Sequence, residues 1–258
     1  MTELVVVNGL TVRYGTVIAS HLSSLVIHSG ECVAIVGESG SGKTSALMGI
    51  LGLGEVSGAE VSGSVRVGGV ELIGASERKL ASIHGAELTL VSQSPQAALN
   101  PTMRLGRFAQ LALARHGITR ASARARIEAA LADVVLPPSI LRRYPHEISG
   151  GQAQRFCIGL AVALETKCII ADEPTSALDV TVQAEIIRLL RRLREDGGKG
   201  ILFVSHDLAL VAATADRIIV MKDGAVVEDG LRDQVLFHPQ SDYTKELLAA
   251  IPEWNTHE

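Results

Sequence analysis

The amino-acid sequence predicts an α/β protein built around a parallel sheet. Hydrophobic residues make up 47% of its 258 positions but aromatic residues only 3%, so the apolar content is mainly Val, Ile, Leu and Ala. That composition is typical of buried strands covered by helices. In the second half of the chain, short apolar runs alternate with segments of helical periodicity, which is the order that builds a parallel sheet.

The first part of the chain is predicted to form short strands punctuated by Gly and Asn. The strand-like segments read LVVVNGLTVRYG, SSLVIHSGECVAIVG and SGSVRVGGVEL. Within them, ECVAIVG is a continuous apolar run that ends in Gly, as expected for a central strand that leads into a phosphate-binding loop. The next segment, SALMGILGL, is predicted to be a helix.

A helical insert is predicted over residues 93–164. Residues 104–136 are rich in Ala, Leu and Arg with helical spacing, and the Pro-containing segment PPSILRRYPHE follows as a connection. After the insert we expect a strand, an amphipathic helix, a strand, a helix and a hairpin, in the segments KCIIADE, TVQAEIIRLLRRLRED, GILFVSHD, LALVAATA and DRIIVMKDGAVVEDG. The predicted division is a single domain, 1–258, with a core at 1–92 and 165–235 and a tail at 236–258.

Bulk properties narrow the class of protein. The net charge of −4 argues against a general nucleic-acid binder, which usually needs a basic face. The start of the chain lacks the pattern of a secretory leader, and no apolar run approaches the length needed to span a bilayer. Three cysteines lie in apolar segments and match no metal or redox spacing, so we expect Cys32, Cys157 and Cys168 to be core residues in a reducing compartment.

The segment GESGSGKT fits a phosphate-binding loop, and it lies between a predicted strand and a predicted helix, as such a loop requires. Its glycines let the backbone wrap closely around phosphate groups, the lysine reaches the β and γ phosphates, and the threonine hydroxyl binds Mg²⁺. The predicted nucleotide-binding residues here are Gly37, Glu38, Ser39, Gly40, Ser41, Gly42, Lys43 and Thr44.

Two carboxylates follow the apolar segment KCIIA, at the end of a predicted strand. Asp172 is placed to hold Mg²⁺, and Glu173 can polarise an attacking water molecule. An apolar run that ends in Asp-Glu is weak evidence alone, because many strands meet turns in this way. Together with the phosphate loop it predicts ATP hydrolysis.

Three further residues are weaker candidates from spacing alone. His206 ends another apolar strand, and strand ends in such sheets converge on the ligand crevice, so it could sense the γ-phosphate. Gln93 also follows an apolar run and could reach the metal ion or the water, while Tyr14 could stack on a base. The alternative for His206 and Tyr14 is a structural role.

A second anion site is predicted at ISGGQ, residues 148–152. A helix is expected to begin just after this segment, so that its Gly pair would present backbone N–H groups to an anion. The segment lies far in sequence from the phosphate loop, which raises the question of why one chain would need two phosphate-facing helix N-termini.

Taken in chain order, the segments GESGSGKT, SQSP, ISGGQAQR, CIIADEPTSALD and SHD resemble the motifs of the ATP-binding subunit of ABC transporters, over almost the whole chain. Ile148 replaces the usual Leu of the signature motif. The resemblance implies a RecA-like P-loop core, an N-terminal antiparallel β subdomain and an inserted α-helical subdomain. It also implies a head-to-tail dimer, in which the signature of one subunit closes over the ATP held by the other; these signature residues are Ser149, Gly150, Gly151 and Gln152.

The same resemblance implies individual roles. Glu173 corresponds to the catalytic base, His206 to the switch histidine and Tyr14 to the aromatic that stacks on adenine. Gln93 corresponds to the loop residue that links the metal site to the membrane partner, so the implied metal-site residues are Thr44, Gln93 and Asp172. The segment SALD, residues 176–179, corresponds to the loop that runs between the two subunits.

Longer phrases, such as YPHEISGGQAQR and HPQSDYTKELLAAIP, resemble the branch that serves peptide, nickel and metallophore importers. The implied partners are membrane permease subunits, a second ATPase subunit that is the same chain or a sister, and indirectly a substrate-binding protein, with the chain on the cytoplasmic side of the membrane. No Cys follows Cys168, so we expect no iron–sulfur cluster. The alternatives are a soluble ATPase of a carbon–phosphorus lyase complex or, more remotely, an ABC protein of DNA repair or translation.

Overall fold

The computed structural model describes residues 1–175, 178–195 and 197–250. In this part of the chain, one mixed sheet of ten strands organises the molecule. One side of the sheet is antiparallel and comes mostly from the N-terminal region. The other side is parallel and is covered by helices.

The antiparallel side is built from long strands, not from the short ones that the sequence predicts. Strands β1 (Glu3–Tyr14) and β2 (Val17–His28) have 12 residues each and pair with each other, and β2 therefore begins well before the predicted segment SSLVIH. The Asn-Gly pair inside β1 was expected to punctuate strands. Instead, it lies at an irregularity of the pairing between β1 and β4, and Gly9 has φ +59. A bulge absorbs the turn-forming residues without ending the strand.

Strand β4 (Glu60–Val67) pairs with the outer edge of β1, and the two-residue β5 (Val70–Glu71) pairs with β4. On β1 the side chains alternate, so that Val5, Val7, Leu10 and Val12 are buried. This burial on one face explains why β1 stays regular over most of its length.

The parallel side of the sheet contains the predicted strands of ECVAIVG, KCIIADE and GILFVSHD. Strands β6 (Leu88–Val91), β7 (Cys168–Asp172), β8 (Gly200–Val204) and β3 (Cys32–Val36) pair in parallel, in the spatial order β3-β8-β7-β6. Every residue of β3, β7 and β8 is buried. The carboxyl ends of these strands lie side by side, so the residues that follow them converge on one edge.

The predicted hairpin joins the two sides of the sheet. Strand β9 (Arg217–Lys222) runs parallel to β3, and β10 (Ala225–Leu231) returns antiparallel to it. Strand β10 also meets β2 at a single bridge between Ala225 and His21. The phosphate-loop region therefore lies next to both the hairpin and the N-terminal strands.

Ten α-helices are assigned within the described ranges. They are α1 (Lys43–Ile50), α2 (Glu77–Ile83), α3 (Pro95–Ala98), α4 (Leu105–Arg115), α5 (Arg120–Asp133), α6 (Gly150–Leu164), α7 (Val180–Glu195), α8 (Leu208–Thr214), α9 (Arg232–Phe237) and α10 (Asp242–Ala249). The sequence analysis did not predict α2, α9 and α10. None of the helices in the described residues is long and apolar enough to cross a membrane.

Helices α3 to α6 occupy the region of the predicted insert. Between α5 and α6 the Pro-containing connection forms two 3₁₀ turns, Pro138–Arg142 and Pro145–Glu147. Gly159 of α6 lets α5 approach closely, because a Cβ atom there would lie 3.2 Å from a methyl group of Val134. Small residues at this contact fit the Ala-rich composition of the segment.

Two apolar cores lie on opposite faces of the sheet. One packs α1 and the N-terminal strands, while the other packs the insert, α7 to α10 and the opposite face of β3, β7 and β8. Cys32 and Cys168 are buried within these cores and Cys157 is half-buried. Burial raises the pKa of the Cys168 thiol to about 12, because it disfavours the thiolate.

Candidate nucleotide-binding site

The phosphate loop connects β3 to α1, as the sequence predicts. Two of its glycines meet backbone so closely that a side chain would not fit. A Cβ atom at Gly37 would overlap the carbonyl oxygen of Met221, and one at Gly42 would overlap that of Ala19. Gly42 also has φ +96, in the left-handed region that favours glycine. The loop therefore lies directly against β9 and β2.

Lys43, the first residue of α1, folds back onto the loop. Its Nζ donates to the carbonyl oxygens of Gly37 at 2.8 Å and Glu38 at 2.6 Å, and to the Ser41 hydroxyl at 3.2 Å. Burial lowers the pKa of Lys43, while the negative charges of Glu173 and Asp172 oppose that shift. The ammonium group is thus held by neutral acceptors that phosphate oxygens can replace.

Thr44 and Asp172 meet beside this lysine. The Thr44 hydroxyl donates to the Asp172 carboxylate, Oγ1 to Oδ2, at 3.3 Å. Burial raises the pKa of Asp172, and the hydrogen bond from Thr44 opposes the shift. A hydroxyl and a carboxylate are the hard oxygen ligands that Mg²⁺ prefers.

The described residues contain no cluster of three or more His, Cys, Asp or Glu arranged to hold a metal ion. Mg²⁺ is usually held by one or two protein ligands and completes its coordination with phosphate oxygens and water. The donor set at Thr44 and Asp172 therefore fits a magnesium–nucleotide complex.

Glu173 follows β7 and brings together two other predicted residues. Its Oε2 accepts a hydrogen bond from Gln93 Nε2 at 2.9 Å, and its Oε1 lies 2.9 Å from His206 Nδ1. Gln93 follows β6 and His206 follows β8, so the side chains come from three neighbouring strand ends. The sequence analysis predicted each residue but not these contacts between them.

The backbone of Glu173 is held in an unusual conformation. Its φ is +48, its N–H donates to Val204 O at 3.0 Å, and its carbonyl accepts from Gln154 Nε2 at 2.9 Å. Gln154 is fully buried on α6, and its side-chain oxygen has no hydrogen-bond partner among the residues that the structure describes. The sequence analysis quoted Gln154 within ISGGQAQR but assigned it no role; its only signal was a polar residue on an otherwise apolar helix face.

A cavity of about 600 Å³ connects these groups. Of the predicted residues, its walls contain Gly37, Ser39, Gly40, Gly42, Lys43, Thr44, Gln93, Asp172, Glu173 and His206. The sequence analysis missed other wall residues, which are Val17, Ile18, Ala19, Ser45, Val204, Asp223 and Gly224. No local sequence pattern marks this wall; its apolar pair, Val17 and Ile18 at the start of β2, is exposed in the structure.

Besides the signature residues, three predicted residues lie apart from the cavity walls. Ser41 is buried within the loop, and Glu38 contacts Lys43 through its carbonyl. Tyr14 ends β1, and its hydroxyl lies 3.0 Å from Ser57 Oγ. Adenine stacking by Tyr14 therefore stays a prediction, and Val17 and Ile18 are the apolar side chains that the structure places on the wall.

The signature segment begins a helix, but not where the sequence analysis expected. Helix α6 starts at Gly150, inside ISGGQ, because Ser149 and Gln152 form a capping box. The Ser149 hydroxyl accepts from Gln152 N–H at 3.2 Å, and Gln152 Oε1 accepts from Ser149 N–H at 3.1 Å. A Cβ atom at Gly150 would meet nothing within 4 Å, so this end of α6 is open to approach from outside.

The residues Ser149, Gly150, Gly151 and Gln152 do not line the cavity of the phosphate loop. Within one chain, the two predicted anion sites therefore remain separate. Of the SALD segment, residues 176–177 lie outside the described part of the chain. Its last residue, Asp179, accepts a hydrogen bond from Val182 N–H at 3.0 Å at the start of α7.

Residues 21–176 match the family model described as "ABC transporter". The chain belongs to the ABC transporter family. This ABC protein is 41% identical over 244 residues to the probable D,D-dipeptide transport ATP-binding protein DdpD of Escherichia coli (strain K12), covering 93% of this chain and 74% of that relative.

Two other relatives are longer than the matched region. The peptidoglycan transport ATP-binding protein YejF of Agrobacterium fabrum is 44% identical over 228 residues. The match covers 87% of this chain and 42% of YejF. The glutathione import ATP-binding protein GsiA of Salmonella typhimurium is 39% identical over 243 residues. The match covers 89% of this chain and 38% of GsiA.

Solved structures agree with the fold. A dimeric post-hydrolysis state of the ATP-binding cassette MJ0796 bound to ADP and Pi has a TM-score of 0.79 and 29% identity, with 89% of this chain and 99% of that chain covered. The predicted family, the α/β P-loop fold and the use of a magnesium–nucleotide complex are therefore confirmed, and the protein is an ABC ATPase. The roles of single residues remain predictions.

Proposed function

We propose that this ABC ATPase powers an importer, and that its relatives point to peptide-like cargo. The observation that carries the ATPase half of the proposal is the convergence of Lys43, Thr44, Asp172 and Glu173 on one cavity. The import half rests on relatives named for dipeptide transport, peptide import and glutathione import. These names do not favour the carbon–phosphorus lyase alternative. Nickel and metallophore cargo remain predictions from the sequence.

The geometry supports a division of labour in the site. Lys43 would exchange its carbonyl partners for phosphate oxygens, and Thr44 and Asp172 would hold the metal ion through their oxygen atoms. When bound, Mg²⁺ neutralises charge that develops on the phosphate oxygens. Glu173 accepts the proton of the attacking water, as a general base.

Gln93 and His206 orient the carboxylate of Glu173. Each of its two oxygens has one of these side chains at 2.9 Å, so the carboxylate cannot rotate freely. His206 is exposed on the cavity wall, where it can also contact the outermost phosphate. Gln93 lies at the end of β6 and connects the site to the surface around that strand.

We propose that the second anion site serves a second subunit. Ser149, Gly150 and Gly151 lie away from their own cavity and at an open helix N-terminus. The N–H groups and positive dipole end of such a helix favour a phosphate group. The solved cassette MJ0796 is dimeric. Head-to-tail pairing would place the signature of one subunit over the ATP held by the other.

Mixed dimers test this arrangement. Lys43→Ala should abolish turnover because the phosphates lose a fixed positive charge, whereas Ser149→Arg should block closure while leaving ATP binding to the free subunit nearly intact. In a mixed dimer both defects fall in one site, and the other site keeps a normal lysine and serine. Mixing the two inactive variants should therefore restore hydrolysis, up to about one site's worth.

Pairing of the two variants is established first, by co-purification of differently tagged chains. Phosphate release is then measured for each variant alone and for the purified mixed dimer. Zero activity in verified mixed dimers would contradict the composite site. If the chain pairs only with a sister ATPase, the same exchange is carried out between the two different chains.

A groove beside β6 is our proposed contact for the membrane subunit. Its volume is about 660 Å³, and its wall is mainly apolar, including Leu51, Leu80, Leu88, Phe108 and Leu111. Its polar side chains include Glu77, His84, Arg115 and His116. Leu90 of β6 also lines the groove, three residues before Gln93 of the nucleotide cavity, so β6 leads from one cavity wall to the other. A short amphipathic helix of a permease fits this combination of apolar floor and charged rim.

Leu111→Glu tests the groove, because Leu111 is 43% exposed and its replacement should not disturb the core. We expect the variant to keep ATP binding but to lose co-purification with permease subunits from membranes. Val227→Glu, at an exposed apolar residue of β10, is the matched control and should keep its partners. Recovery of soluble lyase components alone would favour the alternative. Association through this groove would keep the chain peripheral, on the cytoplasmic side of the membrane.

A further inference from the structure

The C-terminal helix α10 contacts the phosphate loop through Tyr243. This tyrosine is only 8% exposed, and its hydroxyl accepts a hydrogen bond from the backbone N–H of Glu38 at 3.1 Å. Glu38 directly follows Gly37 in the loop. The sequence analysis used the surrounding segment only for its resemblance to a branch of the family, and the proposed reaction gives it no role.

Glu38 is held from two sides. Tyr243 takes its N–H, and Lys43 Nζ donates to its carbonyl at 2.6 Å. Lys43 must release this carbonyl, and that of Gly37, before it can reach a phosphate group. Tyr243 does not have to move in that exchange, so its bond continues to hold the peptide at the root of the loop.

The ring of Tyr243 is itself fixed by the sheet. The ammonium group of Lys222 lies 4.5 Å from the centre of the ring, a cation–π arrangement. Lys222 ends β9, and β9 pairs in parallel with β3, which leads into the loop. The phosphate loop and Tyr243 are therefore both positioned by the paired strands β3 and β9.

The start of α10 is anchored independently. The carboxylate of Glu228 on β10 accepts hydrogen bonds from the backbone N–H groups of Gln240 at 2.8 Å and Ser241 at 3.1 Å, just before the helix begins. Leu248, five residues beyond Tyr243, is buried in the same core as α9. Two attachments thus keep α10 at a constant position relative to the loop.

We propose that Tyr243 is a positioning residue for nucleotide binding, and that α10 is a strut that holds the phosphate loop in its binding conformation. Without the hydroxyl, the Glu38 N–H loses a buried acceptor, and the loop samples other conformations once Lys43 leaves its carbonyls. The affinity for nucleotide therefore decreases. The chemical step, which depends on Glu173, is unaffected.

Tyr243→Phe removes one oxygen atom and keeps the ring beneath Lys222. We expect it to weaken the binding of MgADP and MgATP about 2- to 10-fold, the effect of one neutral hydrogen bond, as measured by calorimetry on the isolated subunit. KM for ATP should rise by a similar factor, while kcat at saturating ATP stays within about twofold. Hydrogen exchange at the Glu38 amide should become faster.

Asp242→Asn is the matched control on the same helix. Asp242 is exposed and bonds only to Lys245 among the described residues, so the variant should bind nucleotide like the wild type. A folded Tyr243→Phe protein with unchanged nucleotide affinity and unchanged exchange at Glu38 would overturn the proposal. So would a fall in kcat with no change in affinity.

Lys43→Ala, measured in parallel, separates this inference from the phosphate-loop assignment on which it rests. If that variant loses affinity and Tyr243→Phe does not, the strut is wrong and the loop assignment stands. If neither loses affinity, both are wrong.

Discussion

Replacement of Glu173 by Gln tests the chemistry most directly. The two carboxylate oxygens each have a hydrogen-bonding side chain at 2.9 Å, Gln93 on one and His206 on the other. A carboxylate accepts at both positions, whereas an amide accepts at only one. The substitution preserves size but removes the proton acceptor. Loss of a general base costs about 10²–10⁴-fold in rate, which corresponds to roughly 3–5 kcal/mol in the barrier.

The affinity for MgATP should stay within a few-fold, because Lys43 and the loop amides are unchanged. Turnover is measured as phosphate release at saturating MgATP, and affinity by calorimetry. Glu185→Gln is the matched control: it makes the same charge change at an exposed ion pair with Arg188, neither of which lines the cavity, and should leave turnover unchanged.

Two outcomes would refute this reasoning about Glu173. Turnover near that of the wild type would remove Glu173 from the role of base. A loss of turnover accompanied by an equal loss of affinity would mean that the substitution disrupts the binding site, and that the carboxylate holds structure without accepting a proton.

Other substitutions give separate tests of the site. Gly42→Ala should reduce thermal stability and nucleotide binding, because the new methyl group overlaps a backbone carbonyl of β2. Gly58→Ala is the control, because Gly58 also has a left-handed φ but its Cβ would meet nothing within 4 Å. Its cost in folding stability should stay near about 1 kcal/mol. Asp172→Asn should raise the melting temperature of the nucleotide-free protein. It should also weaken the dependence of ATP turnover on Mg²⁺. Burial raises the pKa of Asp172, so its ionised form costs stability above that pKa, and the gain should shrink as the pH falls through it. Gln154→Leu removes the donor to the Glu173 carbonyl, and kcat should fall roughly ten- to a hundredfold with little change in MgATP affinity.

The long N-terminal strands mark a limit of local sequence patterns. Asn8 and Gly9 are turn-forming residues, and the sequence analysis expected them to separate short strands. In the structure β1 is paired on both edges, with β2 and β4, and its buried face continues past these residues. Pairing with strands on both sides outweighs the local preference of Asn8 and Gly9 for a turn. These residues form a bulge within the strand and do not end it.

The sequence by itself determined the phosphate loop, the two carboxylates at the end of β7 and the family. These features are local: a loop that wraps a phosphate needs glycines at fixed spacing between one strand and one helix, and Asp172 and Glu173 follow an apolar strand directly. The capping box at Ser149 and Gln152 is equally local, and it could have placed the start of α6 correctly.

Only the tertiary structure decided which residues support the catalytic ones. Gln154 reaches Glu173 across 19 positions of the chain, and Tyr243 reaches Glu38 across 205. Neither contact has a local signal, because each depends on how a helix packs against the edge of the sheet. The separation of the signature from its own cavity is of the same kind, since the distance between two motifs in space follows from packing and not from their spacing along the chain.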